Sequence, residues 1–169
     1  MLEQLRLSII ANALGNDFEC KQLNSAVQQF LRLPISDVKY GLNILSNDDD
    51  PHCRSQSVVI ASRNNIDTAP ILVERLLNDP IFYVRLEACH AARRLNCSIL
   101  AKRIAQLLLD DPDEIVRATA ALALSKIGDM SIVPLMEQAA ETEIGEDHEG
   151  APVRDTIRRS VQTIKNRVE

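Results

Sequence analysis

The sequence predicts an all-α fold, an α-solenoid of about four to five helical hairpins, and three observations support that prediction. Hydrophobic residues make up 46% of the 169 residues, whereas aromatic residues make up only 3% and tryptophan is absent. Alanine, leucine, isoleucine and valine predominate, which is typical of closely packed helices. Two segments match without a gap at an offset of 32 residues, and their apolar residues recur at helical spacing. These features predict a single repeat domain over residues 1–169.

The repeat is clearest in two segments, DPIFYVRLEACHAARRLN and DPDEIVRATAALALSKIG. Their alignment pairs Asp79 with Asp111 and Arg85 with Arg117. A third copy lies in DDDPHCRSQSVVIASRNN, and a fourth, weaker copy lies in APVRDTIRRSVQTI. An amphipathic run precedes each copy, so the predicted unit is a hairpin of two helices with its turn near the Asp-Pro pair. Because one hairpin cannot bury its own apolar face, the hairpins are expected to stack side by side.

The chain divides into a repeat region and a leading segment without the signature. Residues 36–168 contain the four repeats. Residues 1–35 predict two further helices, which form either a degenerate fifth unit or a cap. Residues 141–150 are strongly acidic and contain two glycines, so they predict a loop that interrupts the stack. We interpret this loop as a solvated insertion; the alternative is an acidic contact for a basic partner.

The pattern D-P-x(3)-V-R-x(2)-A-x(3)-A/L-x(2)-I-G-D resembles the HEAT repeat, and in particular the short subtype found in phycobilin lyases. The resemblance implies a ladder, in which an aspartate six residues before an arginine contacts arginines along the stack. The aspartate and arginine pairs at this spacing are Asp48 and Arg54, Asp79 and Arg85, and Asp111 and Arg117. In the fourth copy His148 holds the aspartate position, which leaves Asp147 and Glu149 as the substitutes.

The charge and the cysteine content limit which classes of partner and which cellular compartment are expected. The formal net charge of -5 argues against nucleic acid or an anionic membrane surface as the main partner. No apolar run approaches the roughly 20 residues of a membrane-spanning helix, and the start lacks the pattern of a signal peptide. The four cysteines, which form no CxxC pair and are predicted to be free thiols, are Cys20, Cys53, Cys89 and Cys97. A cytoplasmic protein is the expectation.

Two adjacent pairs of cysteine and histidine raise the question of a metal or nucleophile site. They are His52 with Cys53 and Cys89 with His90. Neighbours on a helix point about 100° apart, so neither pair readily holds one tetrahedral ion. The chain also lacks the short motifs of hydrolases, zinc proteases and phosphate-binding loops. We therefore predict no catalytic residue, no metal site and no cofactor, and interpret Cys20 and Cys97 as buried apolar residues.

The side of each second helix opposite its buried stripe predicts a binding groove. It is apolar in the middle and basic towards its C-terminal end, and an exposed apolar line is expected of a binding surface. The alternative is that terminal helices cover it. The predicted partner-binding residues are Val59, Leu86, His90, Arg93, Leu122, Arg158 and Arg159.

The leading functional hypothesis is a non-catalytic module that binds a partner protein along its concave face. The resemblance implies a second hypothesis, a phycobilin lyase subunit or a phycobilisome-associated protein that binds a linear tetrapyrrole or a biliprotein. The chain is short for that family, so this hypothesis describes one half of a heteromeric enzyme or a chaperone-like relative. A third hypothesis, an immunity-type protein that plugs a toxin, is also a binding module.

Overall fold

The computed structural model describes residues 1–13, 17–147 and 149–167. Those residues contain ten α-helices and no β-strand, apart from an isolated bridge between Glu146 and Pro152, and this confirms the predicted α-solenoid of helical hairpins. The helices are α1 (Leu2–Ala13), α2 (Asp17–Phe30), α3 (Ile35–Leu45), α4 (Pro51–Arg63), α5 (Ala69–Leu76), α6 (Phe82–Leu95), α7 (Ala101–Asp110), α8 (Glu114–Ile127), α9 (Val133–Thr142) and α10 (Val153–Lys165).

Consecutive helices pair as hairpins, with α3, α5, α7 and α9 as first helices and α4, α6, α8 and α10 as second helices. Each second helix packs against the next second helix along the stack, whereas the first helices contact one another much less. The second helices therefore form the closely spaced layer.

Helix ends follow from local sequence. Asp50 caps α4 by accepting the backbone N–H of His52, and Asp113 caps α8 by accepting those of Ile115 and Val116. The end of α6 is marked by Asn96, whose φ of 56° is the left-handed conformation that ends many helices. Prolines stand in the first turns of α4, α5 and α9, where a missing amide hydrogen costs little.

The seam between the second helices is built from small side chains, which allow the helices to approach closely. The fully buried alanines of the second helices are Ala61, Ala88, Ala91, Ala92, Ala120, Ala121 and Ala123. In a close-packed interior even one added methylene group disturbs the packing, so these small side chains set the spacing of the second helices.

The two N-terminal helices cover the start of the stack. Helix α1 packs on both α2 and α4, and buries Leu5 and Ile9. Phe30, at the end of α2, closes against Gly41 of α3, where an added Cβ would lie 2.7 Å from its ring. Helix α1 thus takes the position that a preceding second helix would have beside α4.

Candidate interaction surface

A ladder of ion pairs runs along the turns that join first to second helices. At its centre, Arg85 donates from Nε and Nη2 to the two carboxylate oxygens of Asp111, both at 2.7 Å. Its Nη1 also donates to the backbone carbonyl of Asp79 at 2.8 Å. The Asp111 side chain is 1% exposed and also accepts the backbone N–H of Asp113. One guanidinium therefore joins its own turn to the next turn through charge-assisted, bidentate hydrogen bonds.

The same geometry recurs at the other turns of the stack. The other pairs are Arg6 with Asp48, Arg54 with Asp79, and Arg117 with Glu143. In each pair the arginine donates from Nε and Nη2 to both carboxylate oxygens of the acid. The distances are, in the same order, 2.6 and 3.1 Å, 2.6 and 3.0 Å, and 2.6 and 2.8 Å. Hydrogen bonds from their arginines lower the pKa of both Asp48 and Glu143 below its ordinary value.

The last acid of the ladder is Glu143, which differs from the prediction. Helix α9 runs on to Thr142, so Glu143 directly follows a first helix, as Asp111 does. Asp147 instead accepts the backbone N–H groups of Glu149 and Ala151 within the loop. His148 lies outside the described residues.

A close approach at Gly145 holds this last pair in place. A Cβ there would lie 2.9 Å from both Arg117 Nη2 and Glu143 Oε1, and 2.7 Å from the Cβ of Glu114. Part of the acidic segment is therefore packed into the ladder instead of being a wholly solvated insertion.

The exposed part of the second-helix layer is a narrow strip across α6, α8 and α10. His90, Leu122 and Arg159 lie five residues after Arg85, Arg117 and Arg154, the aligned arginines of the three repeats. Leu122 is 39% exposed and His90 is half-buried, and burial lowers the pKa of His90. We call this set, with Leu86 and Arg93 beside it on α6, the exposed strip. It contains five of the seven residues that the sequence predicted for partner binding.

The aligned position in α4 is Val59, which was predicted to line the groove but is 7% exposed. It lines the cleft between α2 and α4 together with Leu23 and Val27 of α2. Ser62, three residues further along α4, is also buried and accepts a hydrogen bond of 2.6 Å from Arg94 of the next repeat. The first repeat is therefore closed by its neighbours, and the exposed strip begins at α6.

Arg158 also differs from the prediction. It is exposed, but it lines a groove between α9 and α10 together with Glu137 and Glu141. Its aligned positions in the earlier repeats are Cys89 and Ala121, which are fully buried. There the position faces a following second helix, whereas α10 is the last of the described helices.

Unpaired cations flank the exposed strip at the C-terminal ends of the second helices. The side chains of Arg63, Arg93 and Lys126 are exposed and, within the described ranges of the chain, make no hydrogen bond or ion pair. The helix dipole favours cations at these ends. The surface around the C-terminal ends of the second helices is thus locally basic, although the chain has a net charge of -5.

Neither pair of cysteine and histidine has the features of a reactive site. Burial raises the pKa of the Cys53 and Cys89 thiols to about 12, so both are neutral near pH 7. His52 instead stacks on Tyr83, with ring centroids 5.1 Å apart. No cluster of three or more potential metal ligands occurs in the described part of the chain. Cys97 is only half-buried, and the side chain of Cys20 lies outside what the structure describes.

Comparison with known families supports the repeat interpretation. A family model described as HEAT repeats matches residues 69–151, which include α5, the four helices that follow it and the ladder from Asp79 to Glu143. This match supports a HEAT-repeat protein. No curated protein and no solved structure matches the chain. Among the helices described, none has the length and apolar character needed to cross a bilayer.

Proposed function

We propose that this chain is a non-catalytic interaction module that binds a partner protein along the exposed strip of its second helices. HEAT repeats generally mediate protein–protein interaction, and the match supports that class of function. The observation on which the proposal rests is Leu122. It is 39% exposed, whereas Val116, Leu124 and Ile127 of the same helix are buried, and it lies in register with His90 and Arg159.

The chemistry of the exposed strip favours a partner with an apolar residue flanked by carboxylates. Leu86 and Leu122 provide the apolar contact, and such central contacts carry most of the affinity in protein interfaces. Arg93 and Arg159 flank them with guanidinium groups, which bind carboxylates in a bidentate manner. His90 lies between these groups and is held towards its neutral form by burial.

The bilin hypothesis is supported by the resemblance to phycobilin lyase repeats alone. Among the residues that the structure describes, no contact or cavity favours a linear tetrapyrrole over a protein partner, so protein binding is the function proposed. Mixing the purified chain with phycocyanobilin and recording the visible spectrum distinguishes the two hypotheses. A red-shifted, stoichiometric complex would favour the bilin.

The experiment is affinity capture from a lysate of the native host, with the wild-type chain and two variants as bait. The double variant Leu86→Asp with Leu122→Asp is expected to stay folded and no longer to capture the partners. Its binding free energy is expected to weaken by about 3 kcal/mol or more, given the usual cost of removing hot-spot residues. The matched control is Leu109→Asp, because Leu109 is 40% exposed but lies on the first helix α7.

The control variant is expected to capture the same proteins as the wild type. If the double variant retains them while its circular dichroism spectrum is unchanged, the binding surface is not the exposed strip. Equal loss in both variants would also contradict the proposal.

A further inference from the structure

The turn before α6 departs from the pattern of its neighbours. Helices α4 and α8 begin with aspartates whose carboxylates accept backbone N–H groups of the first turn. At the same position α6 has Ile81, with no side-chain cap, followed by Phe82 and Tyr83. Phe82 is 43% exposed, in a chain with three phenylalanines and two tyrosines. The middle repeat thus has an exposed aromatic cluster where its neighbours have a helix cap.

These aromatic residues line a groove of about 560 Å³ between two successive turns. Pro80, Phe82 and Tyr83 form its side on the α6 turn, and Pro112 faces them from the α8 turn. The rings are ordered by mutual contacts. His52 stacks on Tyr83, and Phe82 meets Tyr83 edge-on with centroids 5.6 Å apart. The groove therefore presents fixed aromatic and proline surfaces.

The charge of the groove is negative. Arg85 lines it, but its guanidinium is bonded to Asp111 and to the carbonyls of Asp79 and Pro80, so its charge is compensated. Two further carboxylates, those of Asp113 and Glu114, also line the groove. Asp113 uses Oδ1 to cap α8, and Glu114 is exposed. The free acceptors beside the aromatic rings are therefore carboxylate oxygens.

We propose that this groove binds an arginine- or lysine-bearing segment of a partner protein. A cation over an aromatic face is attracted by the ring quadrupole, and this attraction grows where water is excluded. In the groove the cation meets the ring of Phe82 and the carboxylates of Asp113 and Glu114, while the prolines contact its methylene groups. The groove lies at the turn edge of the stack and is separate from the exposed strip.

The test is an NMR titration of the isotope-labelled full chain. The probe is the capped peptide Gly-Arg-Leu-Arg-Leu-Gly, and its control is the charge-reversed peptide Gly-Glu-Leu-Glu-Leu-Gly. The basic peptide is expected to give saturable shifts at the rings of Phe82 and Tyr83 and at the amide of Glu114. The acidic peptide is expected to give none there.

Variants separate the aromatic contribution from general attraction to an acidic protein. Phe82→Ala is expected to weaken binding of the basic peptide at least tenfold, and Glu114→Gln about threefold. The matched controls are Ile99→Ala, at an exposed position away from the groove, and Glu74→Gln, at an exposed acid of α5. Both are expected to leave the dissociation constant unchanged.

Three results would overturn the proposal: equal binding of the acidic peptide, an affinity insensitive to Phe82→Ala, or shifts confined to the exposed strip. Should Phe82→Ala disturb the amide spectrum, Phe82→Leu keeps an apolar side chain without the ring and is expected to weaken binding similarly. Leu122→Asp tests independence from the proposed function, because it alters the exposed strip and is expected to leave peptide binding intact.

Discussion

The turns before α6 and α8 share one scaffold and differ in what they expose. In both, a buried aspartate accepts a bidentate arginine from the previous repeat and the backbone N–H two residues later. The residue that donates this N–H is Ile81 in one turn and the capping Asp113 in the other. The ladder aspartate is thus the same in both turns, whereas the residues at the start of the following helix differ. Residues that recur hold the repeats together, and residues that depart from the repeat are available for recognition.

This comparison predicts the largest loss of stability at the ladder. Arg85→Ala leaves the buried Asp111 carboxylate without its partner, and breaking a buried ion pair in this way costs about 3 to 5 kcal/mol. Chemical denaturation is expected to show that decrease in the free energy of unfolding. An unchanged midpoint would mean that the ladder contributes little, and the contrast between the two classes of residue would fail.

The acid end of the ladder sharpens the comparison through pH. The folded-state pKa of Glu143 is lowered from 4.5, chiefly by its hydrogen bonds from Arg117. Its contribution is therefore complete above pH 4.5 and is lost as pH falls through the folded pKa. Thermal melts of Glu143→Gln are expected to show a lower melting temperature than wild type at pH 7 and a gap that narrows below pH 4.5. A gap independent of pH would contradict the ion pair.

The N-terminal pair is expected to matter less than the central pair. The Arg6 side chain is 34% exposed, compared with 10% for Arg85, so solvent screens its interaction with Asp48 more strongly. Arg6→Ala is expected to lower the free energy of unfolding by less than Arg85→Ala in the same denaturation experiment. The reverse order would place the most important pair at the start of the stack.

The smallest effect on stability is expected at the aromatic turn. Phe82 lies at the first position of α6 and is 43% exposed, so Phe82→Ala is expected to change the free energy of unfolding by about 0.5 kcal/mol, the usual range for surface substitutions. A loss comparable to that of Arg85→Ala would show that Phe82 supports the fold and would remove the distinction between the two turns.

Much of the fold was predictable, because each repeat of the sequence corresponds to one helical hairpin. Apolar spacing predicted the second helices, and the recurring pair of Asp79 and Arg85 indicated where the turns meet. Glu143 was missed because the ladder acid was counted backward from Arg154, across a loop that is longer than in the other repeats. Counting forward would have found it, since each repeat arginine lies 25 or 26 residues before its acid.

The exposed strip was predicted in part, for a physical reason. A second helix in a stack has a neighbour on each side, so less of its surface is open than the apolar pattern alone indicates. Ala121 and Cys89 fit either an open surface or a tight seam, and the structure places both in the seam. Val59 has the register of an exposed residue, but α2 lies beside it. The aromatic turn was missed because copies were aligned on what they share, whereas Ile81 is informative as a difference.

The ladder also determines how the molecule deforms under load. Bidentate arginines clamp successive turns at fixed intervals, and the alanine seam leaves no slack between the second helices. The first helices touch one another less, and their links are neutral hydrogen-bond acceptors such as Asn43 and Ser46, which accept from Arg75. We therefore expect the stack to be stiffer against stretching along its turn edge than on the side of the first helices. Bending is expected to open or close the gaps between first helices while the spacing of the turns stays constant.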